Sequence, residues 1–503
     1  MVAFFDTAAN VPFNDEFVYT WAAGRLAGIH RLQLHPEAAA VAIVQVVWGP
    51  LVTLGHTDLR LLRLSAIPFM LLAAFAVYRL SRDLGGSPFW AAVAGISLLA
   101  SPLFDSVSSA FMTEPFYIGL LTATALAATV WLRTERRLWL LLVLAALAVL
   151  ERQHAVGVPL ALTAAALIRW RGGGEPRKLA LGVSATWIVV VAGLAAPGVL
   201  GIATPEMRYG AAQLRGVDPF RIITAVLYLP ALVGVVLLPT LPVLLGRGSA
   251  GRRWPPHPVT LSVAAVWVAL TLFATQVFPG NYLSALGLGP ATIPGTKPVL
   301  FGVLLPVLKA LGLAVFVALV LRAPADWLGA FKRTEVAFLL VLAATQLLPQ
   351  VQFITLDRYY LPVAALVLPV ATSFAGAASW ARPAAAWAVG VLAAGLVVYA
   401  VGEQDYQAWQ LARSRAAAEA YTLAPRDQVA TGYEIFGTDV TNPLYERTGH
   451  IPIRPAGSPF SFTGPEHPRY GLFFAGPNDP RPGIWYGSLA PGKVVIVEVG
   501  GSR

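Results

Sequence analysis

Few side chains in this sequence are suited to chemistry, and the most conspicuous are carboxylates. Asp15 and Glu16 stand side by side in Asn14-Asp15-Glu16-Phe17-Val18-Tyr19, ahead of an aromatic segment that also carries Trp21. A carboxylate beside an apolar wall can have its proton affinity raised into a useful range. Asp15 is therefore a candidate general base for an attacking hydroxyl, with Glu16 beside it to orient the acceptor. The same pair also fits a plainer role as first-turn charge on a helix capped by Asn14. Glu114, in Phe111-Met112-Thr113-Glu114-Pro115-Phe116, is a second acid. It either belongs to a helix start capped by Thr113, or faces Asp15 across a cavity. Asp105 is a weaker rival.

The cations offer the complementary chemistry. Glu151-Arg152-Gln153-His154 is a polar knot between two apolar runs. It is either an internally paired turn or part of the same cavity, with Arg152 holding a phosphate through its planar fork. Lys297 and Arg358, the latter followed by Tyr359, are further candidate phosphate contacts. Arg60 and Arg63 lie one helical turn apart. For each of these, snorkelling toward the membrane surface is the plainer alternative. Lys309 lies deep in an apolar run. No phosphate-cradling P-loop, HExxH or Ser-His-Asp pattern stands out, which counts against an ATP-driven pump or a zinc protease.

The elements that must position these groups are membrane helices. Of 503 residues, 57% are hydrophobic and 12% charged, against about 25% charged in soluble domains. Apolar runs of about 20 residues recur, as spanning helices require. The formal charge is +10. Its basic residues cluster in short loops between apolar runs, a positive-inside pattern that argues against nucleic acid as partner. There is no cysteine, so disulfides and thiolate metal sites are excluded.

Taken in order, residues 13–34 predict a short surface helix, with Phe17 and Trp21 on one face and Tyr19 pointing elsewhere. Residues 38–55 predict a helix along the interface. About 12 spans follow, at 61–80, 88–104, 113–132, 138–151, 153–170, 179–201, 220–245, 258–278, 299–321, 335–349, 359–380 and 383–401. The runs 138–151 and 153–170 are shorter than the ~20 residues a span needs, which predicts a helical hairpin. One set of alternate loops holds twice as many Lys and Arg as the other, which puts the first set in the cytoplasm. Asp15, Glu114, the 151–154 knot, Lys297 and Arg358 then share the outer face. After residue 402 Gly and Pro become dense and strand-like runs appear around Gly471 and Lys493. The division is thus 1–56 (acidic loop and interfacial helices), 57–401 (transmembrane core) and 402–503 (a polar helix and a small extracytoplasmic α/β domain). No internal repeat is seen, which weakens a transporter reading.

With those residues in view, the chain resembles the GT-C superfamily of membrane glycosyltransferases. The nearest branch is that of protein O-mannosyltransferases and lipid A aminoarabinose transferases. The resemblance is carried by Asp15-Glu16 ahead of Tyr19, and by Leu62-Arg63-Leu64-Ser65-Ala66 opening a span that ends in Val77-Tyr78-Arg79-Leu80. Ser101-Pro102 followed by Met112-Thr113-Glu114, and Asp357-Arg358-Tyr359-Tyr360-Leu361-Pro362, complete it. It implies an all-α polytopic fold and a polyprenyl-phosphate sugar donor. It also implies inverting transfer on the outer face of a bacterial inner membrane to a lipid, glycan or protein acceptor. Asp15 maps onto the base, Glu16 onto its runner-up, Glu114 onto the acid of the second outer loop and Arg358 onto a lipid-phosphate contact. Arg152, His154, Lys297 and Tyr359 would line the donor side, and Tyr19 and Trp21 would stack on sugar. A divalent cation, if one takes part, would sit on Asp15, Glu16 and Glu114. The family has a spanning helix before its acidic pair. Met1–Asn14 contains none, and the expectation is that such a helix lies upstream of the given start. A lipid-linked glycan flippase, or an O-antigen ligase or polymerase, are the rival readings.

Overall fold

The computed structural model describes residues 12, 15–101, 103–104, 107, 110–208, 219–245, 258–274, 283–284, 287–288, 293, 295, 304–321, 333–348, 356–374, 382–449, 465, 468–486 and 491–499. Among them, six helices are long and apolar enough to cross a membrane: Leu59–Asp83, Thr113–Thr134, Pro176–Val199, Pro219–Leu245, Leu304–Leu321 and Arg382–Leu423. In hydrocarbon every backbone polar group must be satisfied within its own segment, which is why apolar runs of this length become helices. Thr113–Thr134 is the axis of the bundle. Its most apolar window is 89% buried inside the protein, against 11% for that of Arg382–Leu423, whose apolar part is left facing lipid. Pro219–Leu245 and Leu304–Leu321 cross with two glycines in contact. A Cβ built on Gly234 would lie 1.9 Å from the Gly312 carbonyl oxygen, so only glycine permits that approach.

Several expected spans are shorter than predicted. Pro88–Leu99, Gly157–Arg171, Thr334–Thr345 and Leu361–Ser373 have 12, 15, 12 and 13 residues, whereas Leu138–Glu151 has its expected bounds. The expected hairpin of 138–151 and 153–170 is two helices joined by a 3₁₀ turn, Gln153–Val156. They do not close on each other. Leu138–Glu151 packs on Thr113–Thr134, Gly157–Arg171 packs on Thr334–Thr345, and both lean on Pro176–Val199.

Before the bundle, the helix Glu16–Ile29 packs on the helix Ile43–Val52. After it, the predicted span 383–401 and the predicted polar helix 402–424 form one helix, Arg382–Leu423, of 42 residues. At 1.5 Å per residue it is about 63 Å long, roughly twice the hydrocarbon thickness, so its second half stands clear of the membrane. A four-stranded sheet packs against that half. Its order is Val429–Ala430, Tyr470–Ala475, Gly492–Glu498, Ile484–Tyr486, the first pair parallel and the others antiparallel, with Leu472 opposite Ile496. Trp409 of the long helix meets Phe474 of the sheet edge-on at 5.2 Å. Arg413 and Glu434, both fully buried, join the helix to the segment after the first strand at 2.8 Å.

Candidate active site

Three chain segments far apart in sequence meet around one guanidinium. Arg358 sits in the 3₁₀ turn Asp357–Tyr360 just before the helix Leu361–Ser373, and its backbone N–H donates to Asp357 Oδ1 at 2.7 Å. Its Nη2 lies 3.2 Å from Asp15 Oδ2 and its Nε 3.3 Å from Glu114 Oε1. Arg152 approaches the same Glu114 oxygen with Nη2 at 2.7 Å and donates from Nε to Thr113 Oγ1 at 2.8 Å. Two carboxylates and two guanidiniums thus alternate as Asp15–Arg358–Glu114–Arg152. The Tyr359 ring lies against both cations, 5.3 Å from the Arg358 guanidinium carbon and 5.6 Å from that of Arg152. Tyr117 lies 6.0 Å from Arg152 and donates its hydroxyl to Gln346 Oε1 at 2.7 Å.

Burial separates the two acids. The Glu114 side chain is 2% exposed and that of Asp15 27%. Glu114 is therefore held between charges, whereas Asp15 can meet a soluble partner. Asp15 is the residue before the helix Glu16–Ile29, and its carboxylate makes no capping bond there. It reaches sideways instead, to Arg358 and to the Tyr433 hydroxyl, which donates to Oδ1 at 3.2 Å. Tyr19 is buried within electrostatic reach of Asp15, Glu114, Arg152 and Arg358. Burial pushes its phenol well above the ordinary range, and the Asp15 charge acts in the same direction, so it stays a neutral hydroxyl. Glu206, half-buried, is raised by burial and then by the Asp15 charge, which puts a third acid beside the site.

Asn14, Asp105 and Lys297 lie outside the described residues. Several other expectations need correction here. Thr113 is the first residue of its helix and does not cap it; the hydroxyl goes to Arg152. The 151–154 knot is not internally paired. Glu151 accepts the Gln45 backbone N–H at 3.0 Å, at the start of the helix Ile43–Val52, while Arg152 turns to Glu114. Arg63 does not snorkel. It is buried and forked onto Glu16, with Nε at 2.8 Å and Nη2 at 2.6 Å from the two carboxylate oxygens. Glu16 also accepts the Phe111 N–H at 2.6 Å. The acidic pair is thereby divided: Glu16 ties the first helix to the bundle, and Asp15 is left to the site. Trp21 is drawn away from the cluster, donating to Glu446 Oε1 at 3.0 Å and lying edge-on to His35 at 5.4 Å. His154 is nearly buried, and its carbonyl accepts from Gln346 Nε2 at 3.4 Å.

Tyr433, Glu206, Tyr117 and Gln346 escaped the sequence reading. Only Tyr433 carried a signal, since Gly432 and Gly437 bracket an aromatic and acidic tetrapeptide in an otherwise loop-rich tail.

Fold and cluster together define a multi-pass helical membrane protein with a sheet domain packed close to a partly open, buried ionic network. No family model matches the chain, and no curated protein matches it. Among solved structures the chain is similar to ArnT from Cupriavidus metallidurans. With that protein bound to undecaprenyl phosphate the TM-score is 0.41 at 15% identity, over 100% of this chain and 97% of the other. With its apo state the TM-score is 0.37 at 16% identity, over 98% and 96%.

Proposed function

We propose that this chain is an inverting glycosyltransferase. In this reading it moves a sugar from a polyprenyl-phosphate donor to an acceptor hydroxyl at the outer face of a bacterial inner membrane. The observation that carries the reading is the shared arginine. One guanidinium, Arg358, lies within 3.3 Å of both a partly exposed carboxylate and a buried one. Asp15 takes the hydroxyl proton, and the acceptor oxygen forms a bond to the anomeric carbon from the face opposite the phosphate. The anomeric C–O bond to phosphate breaks, and polyprenyl phosphate leaves with the electron pair. Arg152 and Arg358, with Lys297 from outside the described residues, offset the charge that builds on the leaving phosphate. Glu114 keeps Arg152 and Arg358 in register.

The carboxylates do not fit a divalent cation. Both Glu16 oxygens are forked onto Arg63, and the same Glu114 oxygen faces two arginines. Among the described residues no three His, Asp or Glu side chains gather as a metal set. A flippase would place its acids mid-span. Asp15 precedes its helix and Glu114 is the second residue of its own, which favours bond cleavage over transport.

The test is release of ³²P-labelled undecaprenyl phosphate from a panel of undecaprenyl-phosphate hexoses, with native membranes as acceptor. Asp15→Asn is expected to fold normally and to lose release by at least about a hundredfold, the usual scale of a general base. Normal turnover in that variant removes Asp15 from the mechanism. Sugar that crosses the bilayer still attached to lipid returns the flippase reading.

A further inference from the structure

Among the described residues, the C-terminal domain reaches the Asp15 carboxylate through the Tyr433 hydroxyl. Gly432 has φ +94°, a backbone conformation that favours glycine, and it starts the short helix Tyr433–Phe436. That turn aims the Tyr433 hydroxyl at Asp15 Oδ1, 3.2 Å away, and within 3.5 Å of Glu37 Oε2. The ring is held independently of the hydroxyl, edge-to-face with Phe17 at 5.0 Å. Phe17 is two residues after Asp15, in the first turn of the helix that Asp15 precedes. The next turn of the domain presses on Phe17 as well: a Cβ on Gly437 would lie 2.5 Å from the Phe17 ring. Further out, Trp21 donates to Glu446 at 3.0 Å, and Gln33 donates to the Tyr445 hydroxyl at 3.3 Å. The domain is clamped along the helix that begins beside Asp15, and among the described residues its polar contact with the carboxylate is this phenol.

We propose that Tyr433 is a positioning residue for Asp15, so that the C-terminal domain completes the acceptor side of the reaction centre. This rests on the reading of Asp15 as the base. Arg358 approaches one carboxylate oxygen and Tyr433 the other. Between them they fix the plane of the carboxylate and leave its remaining lone pairs directed at an incoming hydroxyl. With the phenol gone, one oxygen is untethered and the carboxylate turns about its own axis. A base must sit within hydrogen-bond reach of the proton it takes, so the loss falls on the chemical step and not on donor binding.

Tyr433→Phe removes the hydroxyl and keeps the ring on Phe17. In the ³²P-undecaprenyl phosphate release assay, with the full-length protein in membranes, kcat is expected to fall about tenfold, the scale of a hydrogen bond to a charged group. The donor KM stays within about twofold. The same substitution made in the Asp15→Asn background causes no further loss. A merely structural role for Tyr433 predicts lower yield or melting temperature, or a KM change, with kcat per folded molecule unchanged; that result overturns the proposal. If Asp15→Asn is dead while Tyr433→Phe matches the parent in kcat, the positioning role fails and the base survives. If Asp15→Asn turns over normally, both fall.

Discussion

Arg358 is the residue on which the ionic network hinges, and its energetic link to Glu114 can be measured directly. The gross attraction between charges 3.3 Å apart is about 5 kcal/mol at an effective dielectric constant of ~20. Desolvation of both groups cancels much of that, and Arg152 still faces Glu114 at 2.7 Å when Arg358 is gone. Arg358→Met is therefore expected to cost about 2–3 kcal/mol of folding stability, below the ~3–5 kcal/mol for stripping a buried ion of its only partner. Glu114→Gln leaves two buried guanidiniums without their shared anion and is expected to cost more, about 3–5 kcal/mol. Combined, the two changes should cost about 2 kcal/mol less than their sum, because the second cannot remove again an interaction the first has already broken. The assay is reversible unfolding in mixed detergent micelles, followed by the emission of the 14 tryptophans. A coupling below about 0.5 kcal/mol would mean that Arg358 and Glu114 act independently. The alternating network, and the mechanism built on it, would then lose its energetic basis.

Two further outcomes follow from other parts of the molecule. His35 is buried among Phe17, Trp21 and Tyr445, and burial holds its imidazole down at about 4 despite the opposing hydrogen bond to Asn442. Its folded value is thus below the unfolded ~6.5, so its stabilising contribution is full above pH 6.5 and is lost as pH falls through 4, about 3 kcal/mol in all. His35→Gln should flatten the acid limb of a stability–pH profile between those values, and an unchanged limb would assign the acid sensitivity elsewhere. Gly234→Ala forces a methyl to within 1.9 Å of the Gly312 carbonyl and should cost about 1–3 kcal/mol by overpacking. Gly28→Ala, with open space at its Cβ, serves as the control; equal melting temperatures for the two would refute the close crossing.

Much of this was legible before any coordinates. Charges are scarce in so apolar a chain, so Asp15, Glu114, Arg152 and Arg358 stood out by type alone, and those four do meet. Sequence reasoning could not assign partners. Glu16 and Asp15 are adjacent and chemically alike, and only the position of Arg63 decides that Glu16 is consumed in a buried fork. The same holds for the 151–154 knot, where proximity in sequence suggested an internal pair and the fold gives Arg152 to Glu114. Trp21 was placed on sugar because it shares a helix with Tyr19. Yet Phe17 and Trp21 lie on the face that meets the C-terminal domain, while Tyr19 lies within electrostatic reach of the arginines. The partner of Tyr433 was out of reach, since the glycines around it mark a turn but do not say that it folds back across more than 400 residues to the first helix.

The helices that fell short of a full span explain where the site could be built. Leu138–Glu151 gives way to a 3₁₀ turn at Arg152; Thr334–Thr345 stops before Gln346; the 3₁₀ turn carrying Arg358 precedes Leu361–Ser373. Irregular backbone at membrane depth is tolerated only where protein or a water-filled cavity covers it. Each of these helix ends is packed against the bundle, and each delivers a polar side chain to the same region: Arg152 to Glu114, Gln346 to Tyr117, Arg358 to both acids. Were each helix carried through regularly, helical geometry alone would set the direction of its polar side chain, toward lipid as often as toward the bundle. Breaking the helices lets the turns point them inward together. The short apolar runs on either side of residues 151–154 were thus more than a weak span signal. In a membrane chain, a hydrophobic run that ends early at a cation marks a place where the fold has given up helix length in order to direct charge.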